Sequence, residues 1–143
     1  MRTVLTHSEA ETEAIAEQLG QRACAGWVVG LSGELGAGKT AFARGFARGL
    51  GFRGRVHSPT FALLNEYLGG RLPLCHLDLY RLGSAEEVRS AGLEEYLMNP
   101  PGVTLVEWPE RWTQDAAWAP SWKWLELRVR GENEREILGH GIE

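Results

Sequence analysis

The residues Gly33, Glu34, Leu35, Gly36, Ala37, Gly38, Lys39 and Thr40 satisfy the pattern G-x-x-x-x-G-K-[ST] completely. Each position has a physical task. The glycines let backbone N–H groups curl around an anion, and the N-terminus of a following helix adds partial positive charge. Lys39 supplies a cation for the β- and γ-phosphates, and the Thr40 hydroxyl is a hard oxygen ligand for Mg²⁺. A chance match somewhere in 143 residues has a probability of about 1 in 200 from average residue frequencies.

Such a loop needs a carboxylate near the metal, at the end of a core strand. Glu107 follows the apolar run Val103–Val106 directly, the pattern of a hydrophobic strand ending in an acid. Asp78 lies in Cys75-His-Leu-Asp-Leu-Tyr-Arg81, where a period of two puts His76, Asp78 and Tyr80 on one face. The sequence does not rank the two acids. His76 either orients a water or hydrogen-bonds within the fold. Val56-His-Ser-Pro-Thr60 brings two hydroxyls, Ser58 and Thr60, to a strand entry, as an ordinary turn or as a switch closing on the γ-phosphate.

The elements that must position these groups are legible. Arg2–Thr6 reads as a strand, and Ser8 with Glu11 forms a capping box for a helix bearing Ile15, Leu19 and Ala23 on one stripe. Trp27–Leu31 is a short apolar run of the buried parallel type. After the glycine loop, Ala43, Phe46, Ala47 and Leu50 recur at helical spacing, with Gly51 as terminator. Strand, glycine loop and helix is the context a phosphate loop requires. Phe61–Tyr67 and Leu72–Tyr80 read as antiparallel strands joined by a tight turn at Gly69-Gly70, with Pro73 at an edge or an entry. Ser84 with Glu87 caps a short helix containing Val88 and Ala91. Lys123, Leu125, Leu127 and Val129 alternate with Trp122, Trp124, Glu126 and Arg128, so this segment is a strand paired with Arg135–Leu138. The mixture of βα and hairpin units predicts an α/β domain with a partly antiparallel sheet.

Composition bounds the function classes. A 43% apolar and 24% charged chain of 143 residues is ordinary globular material for one domain. A net charge of −4 argues against a coat of nucleic-acid-binding charge. Cys24 and Cys75 have no metal-ligand spacing and read as buried free thiols of a reducing cytosol. No apolar run reaches the ~18–20 residues of a membrane span, and the acidic N-terminal region does not resemble a targeting peptide. A cytoplasmic protein with no membrane association is expected. From Leu35 to Asn65 there is no acid, while Lys39, Arg44, Arg48, Arg53 and Arg55 fall inside. That stretch is a solvated face or a docking surface for RNA or an acidic protein.

With these residues assembled, the sequence resembles the bacterial TsaE (YjeE) family, the small ATPase of tRNA threonylcarbamoyladenosine biosynthesis. The matching elements are the loop Gly33–Thr40, Ser58-Pro-Thr60, His76-Leu-Asp-Leu-Tyr-Arg81 and Val106-Glu-Trp108, in that order and over nearly the whole chain. The loop alone is shared by many ATPases; the later elements are far more specific. The resemblance implies a P-loop NTPase-like three-layer α/β domain with a mixed parallel/antiparallel sheet, spanning residues 1–143 as one unit. It implies binding of ATP or ADP with Mg²⁺ and slow ATP hydrolysis, coupled to the TsaB–TsaD heterodimer, whose TsaD transfers threonylcarbamoyl to adenosine in ANN-decoding tRNAs. Contact with tRNA would be indirect, through that complex.

Carried over by position, Lys39 binds phosphate, Thr40 and Glu107 lie at the metal, and Asp78 serves hydrolysis or the metal shell. Ser58-Pro-Thr60 is the switch-like loop and Trp108 helps shape the site. Glu9 and Asn133 are candidates for the adenine pocket. The tryptophans at 108, 112, 118, 122 and 124 read as aromatic packing or a partner surface. Two other classes compete: a small-molecule or nucleoside kinase built on the same loop, and a non-catalytic nucleotide sensor. A GTPase is disfavoured because no Asn-Lys-x-Asp element is present.

Overall fold

A computed structural model describes residues 2–34, 36–57, 63–113 and 122–140. Seven strands form one sheet: β1 (Arg2–Thr6), β2 (Val28–Ser32), β3 (Leu64–Tyr67), β4 (Leu74–Asp78), β5 (Val103–Glu107), β6 (Trp122–Val129) and β7 (Arg135–His140). Their order is β1-β7-β6-β2-β5-β4-β3. The four central strands β6, β2, β5 and β4 run parallel, and antiparallel pairs close both flanks. The expected mixed α/β sheet is what the chain forms.

Helices α1 (Glu9–Arg22) and α2 (Lys39–Gly49) cover one face. Their apolar stripes meet Val29, Leu31, Leu105, Leu125 and Leu127 of the sheet in one core cluster. The opposite face packs Val28, Leu77 and Val106 against Val88 of α3 (Ala85–Ser90) and Leu97 of α4 (Glu94–Met98). Both capping serines act as expected: Ser8 Oγ accepts from Glu11 N at 3.1 Å, and Ser84 Oγ accepts from Glu87 N at 3.3 Å. The α1 stripe centres on Ala16 and Leu19, with Ala23 buried just past the helix end as its C-cap and Ile15 only partly buried.

Three expectations need correction. β4 ends at Asp78, two residues early, because the Asp78 side chain turns back to accept from Tyr80 N at 2.9 Å. Tyr80 therefore lies beyond the strand face that holds His76 and Asp78. The β3–β4 connection is six residues, 68–73, rather than a tight Gly-Gly turn, and only Gly69 takes positive φ (105°). The first of these strands starts at Leu64; Phe61 and Ala62 lie outside the described residues. Pro73 occupies an entry position, since β4 is flanked on both sides. α4 carried no signal strong enough to be read.

Tryptophan is mostly packing. Trp112 and Trp122 are buried in the second cluster, with Trp108 and Trp124 packed against it. Trp118 lies outside the described residues.

Candidate phosphate-loop site

The site is built where the central strands end. β2 stops at Ser32, the chain loops through Gly33–Gly38, and α2 begins at Lys39. Crevices at the carboxyl ends of parallel strands are where open α/β sheets bind ligands. Two glycines are structurally required. Gly33 has φ 152°, and a Cβ there would come within 2.7 Å of Leu127 O. Gly38, with φ 100°, is the left-handed N-cap of α2, and no side chain caps the helix. The first-turn N–H groups are thus left for an anion, and the first turn contains no acid.

Strand register brings the two candidate acids together. Asp78 is the β4 partner of Glu107 on β5, and Glu107 in turn pairs with Leu31 of β2. Asp78 (5% exposed), Glu107 (4%) and Lys39 (5%) are all buried. Burial pushes the Lys39 pKa below the ordinary lysine value, while the charges of Glu107, Asp78 and Glu110 oppose that shift. Its Nζ donates to Gly33 O at 2.6 Å and stands 4.0 Å from the centroid of the Trp108 ring.

Trp108 adopts a left-handed backbone conformation that its contacts must hold in place. It has φ 59°, unusual for a bulky residue, and its N–H donates to Leu31 O at 3.2 Å. Tyr80 packs on its ring at 5.1 Å between centroids, and the Arg111 guanidinium lies 5.5 Å from it.

Several contacts carry no clear sequence signature. His76 Nε2–H donates to Glu107 Oε2 at 2.6 Å, deep in the sheet. This is the in-fold bonding alternative for His76, with the metal-candidate acid as partner. Glu110 accepts from Ser32 Oγ at 2.7 Å, tying the turn Pro109–Arg111 to the start of the loop. Arg135 reaches from β7 to Gly36 O at 3.2 Å and also donates to Gly131 O and Glu134 O. A spacing rule would not find the His76–Glu107, Ser32–Glu110 and Arg135–Gly36 bonds, because each joins elements far apart in the chain.

Glu9 and Asn133 line a small cleft together with Ser8, Thr12, Glu132 and Arg135, beside the phosphate loop. Glu9 also bonds Arg44 at 3.1 Å. Leu35, Ser58 and Thr60 lie outside the described residues. The basic stretch divides: Arg44 pairs with Glu9 and Glu13, and Arg48 with Glu13 and Glu17 of α1. Two of its five cations are therefore neutralised by the neighbouring helix.

Among the described residues no three His, Cys, Asp or Glu side chains gather into a preformed metal cluster. Mg²⁺ that travels with nucleotide needs only one or two protein oxygens, the remainder coming from phosphate and water. The hard oxygens of Thr40, Glu107 and Asp78 have the right chemistry for it. No helix among the described residues is long and apolar enough to cross a membrane.

Fold and site together define a P-loop nucleotide-binding protein. The family model "Threonylcarbamoyl adenosine biosynthesis protein TsaE" matches residues 6–137. The chain belongs to the TsaE family. It is 43% identical over 131 residues to the tRNA threonylcarbamoyladenosine biosynthesis protein TsaE of Bacillus subtilis, covering 89% of this chain and 77% of that one. The protein of the same name from Aquifex aeolicus is 34% identical over 139 residues, 96% of this chain and 94% of the relative. The crystal structure of Bacillus YdiB superposes with a TM-score of 0.80 at 36% identity, covering 99% of this chain and 86% of that one.

Proposed function

We propose that this chain binds ATP with Mg²⁺ and hydrolyses it to ADP and phosphate in support of tRNA threonylcarbamoyladenosine modification. The observation that carries the proposal is the pairing of Asp78 and Glu107 at adjacent strand ends beside Lys39. Two buried carboxylates at adjacent strand ends beside Lys39 offer hard oxygens of the kind a divalent cation arriving with nucleotide takes.

In this reading the backbone N–H groups of Gly33–Thr40 hold the phosphates, with the Glu34, Leu35, Gly36 and Ala37 positions forming the curl. Lys39 exchanges Gly33 O for β- and γ-phosphate oxygens. Thr40 and Glu107 hold the metal, which when bound spreads positive charge over the transferring phosphoryl group. Asp78 orients the attacking water or completes the metal shell. Ser58 and Thr60 close on the γ-phosphate, and Trp108 walls the site. Glu9 and Asn133 border the adenine.

The partner in this proposal is the TsaB–TsaD heterodimer. Hydrolysis supports its repeated turnover, and tRNA is met through that complex. The relatives' names place those proteins in threonylcarbamoyladenosine biosynthesis. The test is ATP hydrolysis measured alone and with TsaB–TsaD, each with and without tRNA. Slow hydrolysis alone and a clear rise with the heterodimer are expected. Consumption of ATP only when a small-molecule acceptor is added would instead make the chain a kinase.

A further inference from the structure

We propose that His76 is a positioning residue that holds Glu107 for the metal of a bound Mg-nucleotide. This rests on the reading of Glu107 as a metal-binding acid given above.

His76 is 0% exposed and stands on β4 two residues before Asp78. Its register partners are Leu105 on β5 and Asn65 on β3, whose amide donates to His57 O and Tyr67 Oη, and the Tyr67 ring lies 6.3 Å away between centroids. An imidazole there carries a cost, since its Nδ1 has no hydrogen-bond partner among the described residues. What the imidazole adds is the bond from Nε2 to Glu107 Oε2 at 2.6 Å. A carboxylate only accepts, so Nε2 carries the proton in that bond.

The terminal torsion of a glutamate is broad and has no strong preference of its own. Fixing Oε2 from below the strand end orients the carboxylate and leaves Oε1 for the metal. Partners of this kind stand behind metal-binding carboxylates in general, and their loss typically weakens metal binding by about 10–100-fold.

Binding of Mn²⁺ to the full chain with ADP, followed by electron paramagnetic resonance, tests this. ADP binding in EDTA serves as the metal-free reference, and circular dichroism checks folding. His76→Leu and His76→Asn, whose amide reaches only the Nδ1 position, should weaken Mn²⁺ binding by about 10–100-fold with metal-free ADP binding retained. His76→Gln, whose amide nitrogen reaches the Nε2 position, should recover most of it. Should His76→Leu fail to fold, the Gln and Asn variants decide the matter. Undiminished Mn²⁺ binding in His76→Asn, or a His76→Gln no better than His76→Asn, overturns the positioning role. Glu107→Gln separates the two readings. If it binds Mn²⁺ normally, the metal reading of Glu107 is overturned. If it loses Mn²⁺ while His76→Leu and His76→Asn keep it, only the role of His76 is overturned.

Discussion

The ammonium of Lys39 is sandwiched between its own loop and an aromatic face: Nζ donates to Gly33 O at 2.6 Å and stands 4.0 Å from the centroid of the Trp108 ring. A buried lysine needs compensation for its charge, and these two contacts supply part of it. Phosphate is a stronger partner for an ammonium than a carbonyl and a ring. Nucleotide binding should therefore draw Lys39 away from both.

That exchange has an optical signature. The environment of the Trp108 indole changes when Lys39 leaves its face, so ADP should alter tryptophan emission. Trp108→Phe should abolish most of that change while the other five tryptophans still emit. An undiminished nucleotide response in Trp108→Phe would show that Lys39 does not move off this ring.

Asp78 separates catalysis from sensing. Asp78→Ala should keep nucleotide binding by titration calorimetry and lose Mg-ATP hydrolysis by about 10²-fold or more, the scale on which a group that orients or stabilises the reacting atoms acts. Hydrolysis at the original rate in this variant would favour a nucleotide sensor, in which binding alone is the signal.

The α1–α2 contact depends on three glycines. A Cβ at Gly45 would lie 2.1 Å from Glu13 O, at Gly49 2.2 Å from Glu17 O, and at Gly20 2.3 Å from Phe46 O. At an open helical site, glycine to alanine stabilises by up to about 1 kcal/mol. Here the sign reverses, because backbone rather than a movable side chain stands in the way. Gly45→Ala should cost about 1–3 kcal/mol in urea unfolding, and it should reduce nucleotide affinity because α2 carries Lys39 and Thr40. Equal or raised stability would mean that the helices are not so tightly apposed.

The two thiols should behave differently. Burial, with a smaller contribution from the Glu66 charge, pushes the Cys75 thiol up to about 11, whereas Cys24, expected to be buried, is exposed because it lies in the loop just past the end of α1. A thiol reagent at pH 8 should modify one cysteine rapidly and the second only on unfolding. Because the pKa of Cys75 is higher folded than unfolded, the unfolded chain holds fewer protons between pH 9 and 11. Cys75 therefore lowers stability as pH rises through that window, and Cys75→Ala should flatten that part of the decline in melting temperature. Rapid modification of both thiols in the native state would contradict the burial.

Much of this was legible in the sequence, for physical reasons particular to each element. The glycine loop announces itself because phosphate binding needs small residues and a lysine at fixed spacing. The capping serines mark α1 and α3 because their hydroxyls satisfy nearby N–H groups. Glu107 stood out as an acid ending an apolar strand. Local pattern could not show that Asp78 and Glu107 are in register, that His76 bonds Glu107, or that Arg135 reaches Gly36, 99 residues away. Those relationships are set by strand order, which short-range periodicity does not encode. The early end of β4 has a smaller cause: Asp78 takes Tyr80 N as a turn partner although the alternation of the sequence continues to Tyr80.

Lys39 tests the central claim most directly, because phosphate binding, hydrolysis and the proposed coupling all pass through it. In a system reconstituted from TsaB, TsaD, tRNA and the threonylcarbamoyl donor, the measurement is multiple-turnover formation of threonylcarbamoyladenosine with Lys39→Ala in place of the unaltered chain. Loss of nucleotide-dependent modification, with Lys39→Ala still folded by circular dichroism, is the predicted result. Modification at the unaltered rate would contradict the assignment of this loop as the ATP site that serves the pathway.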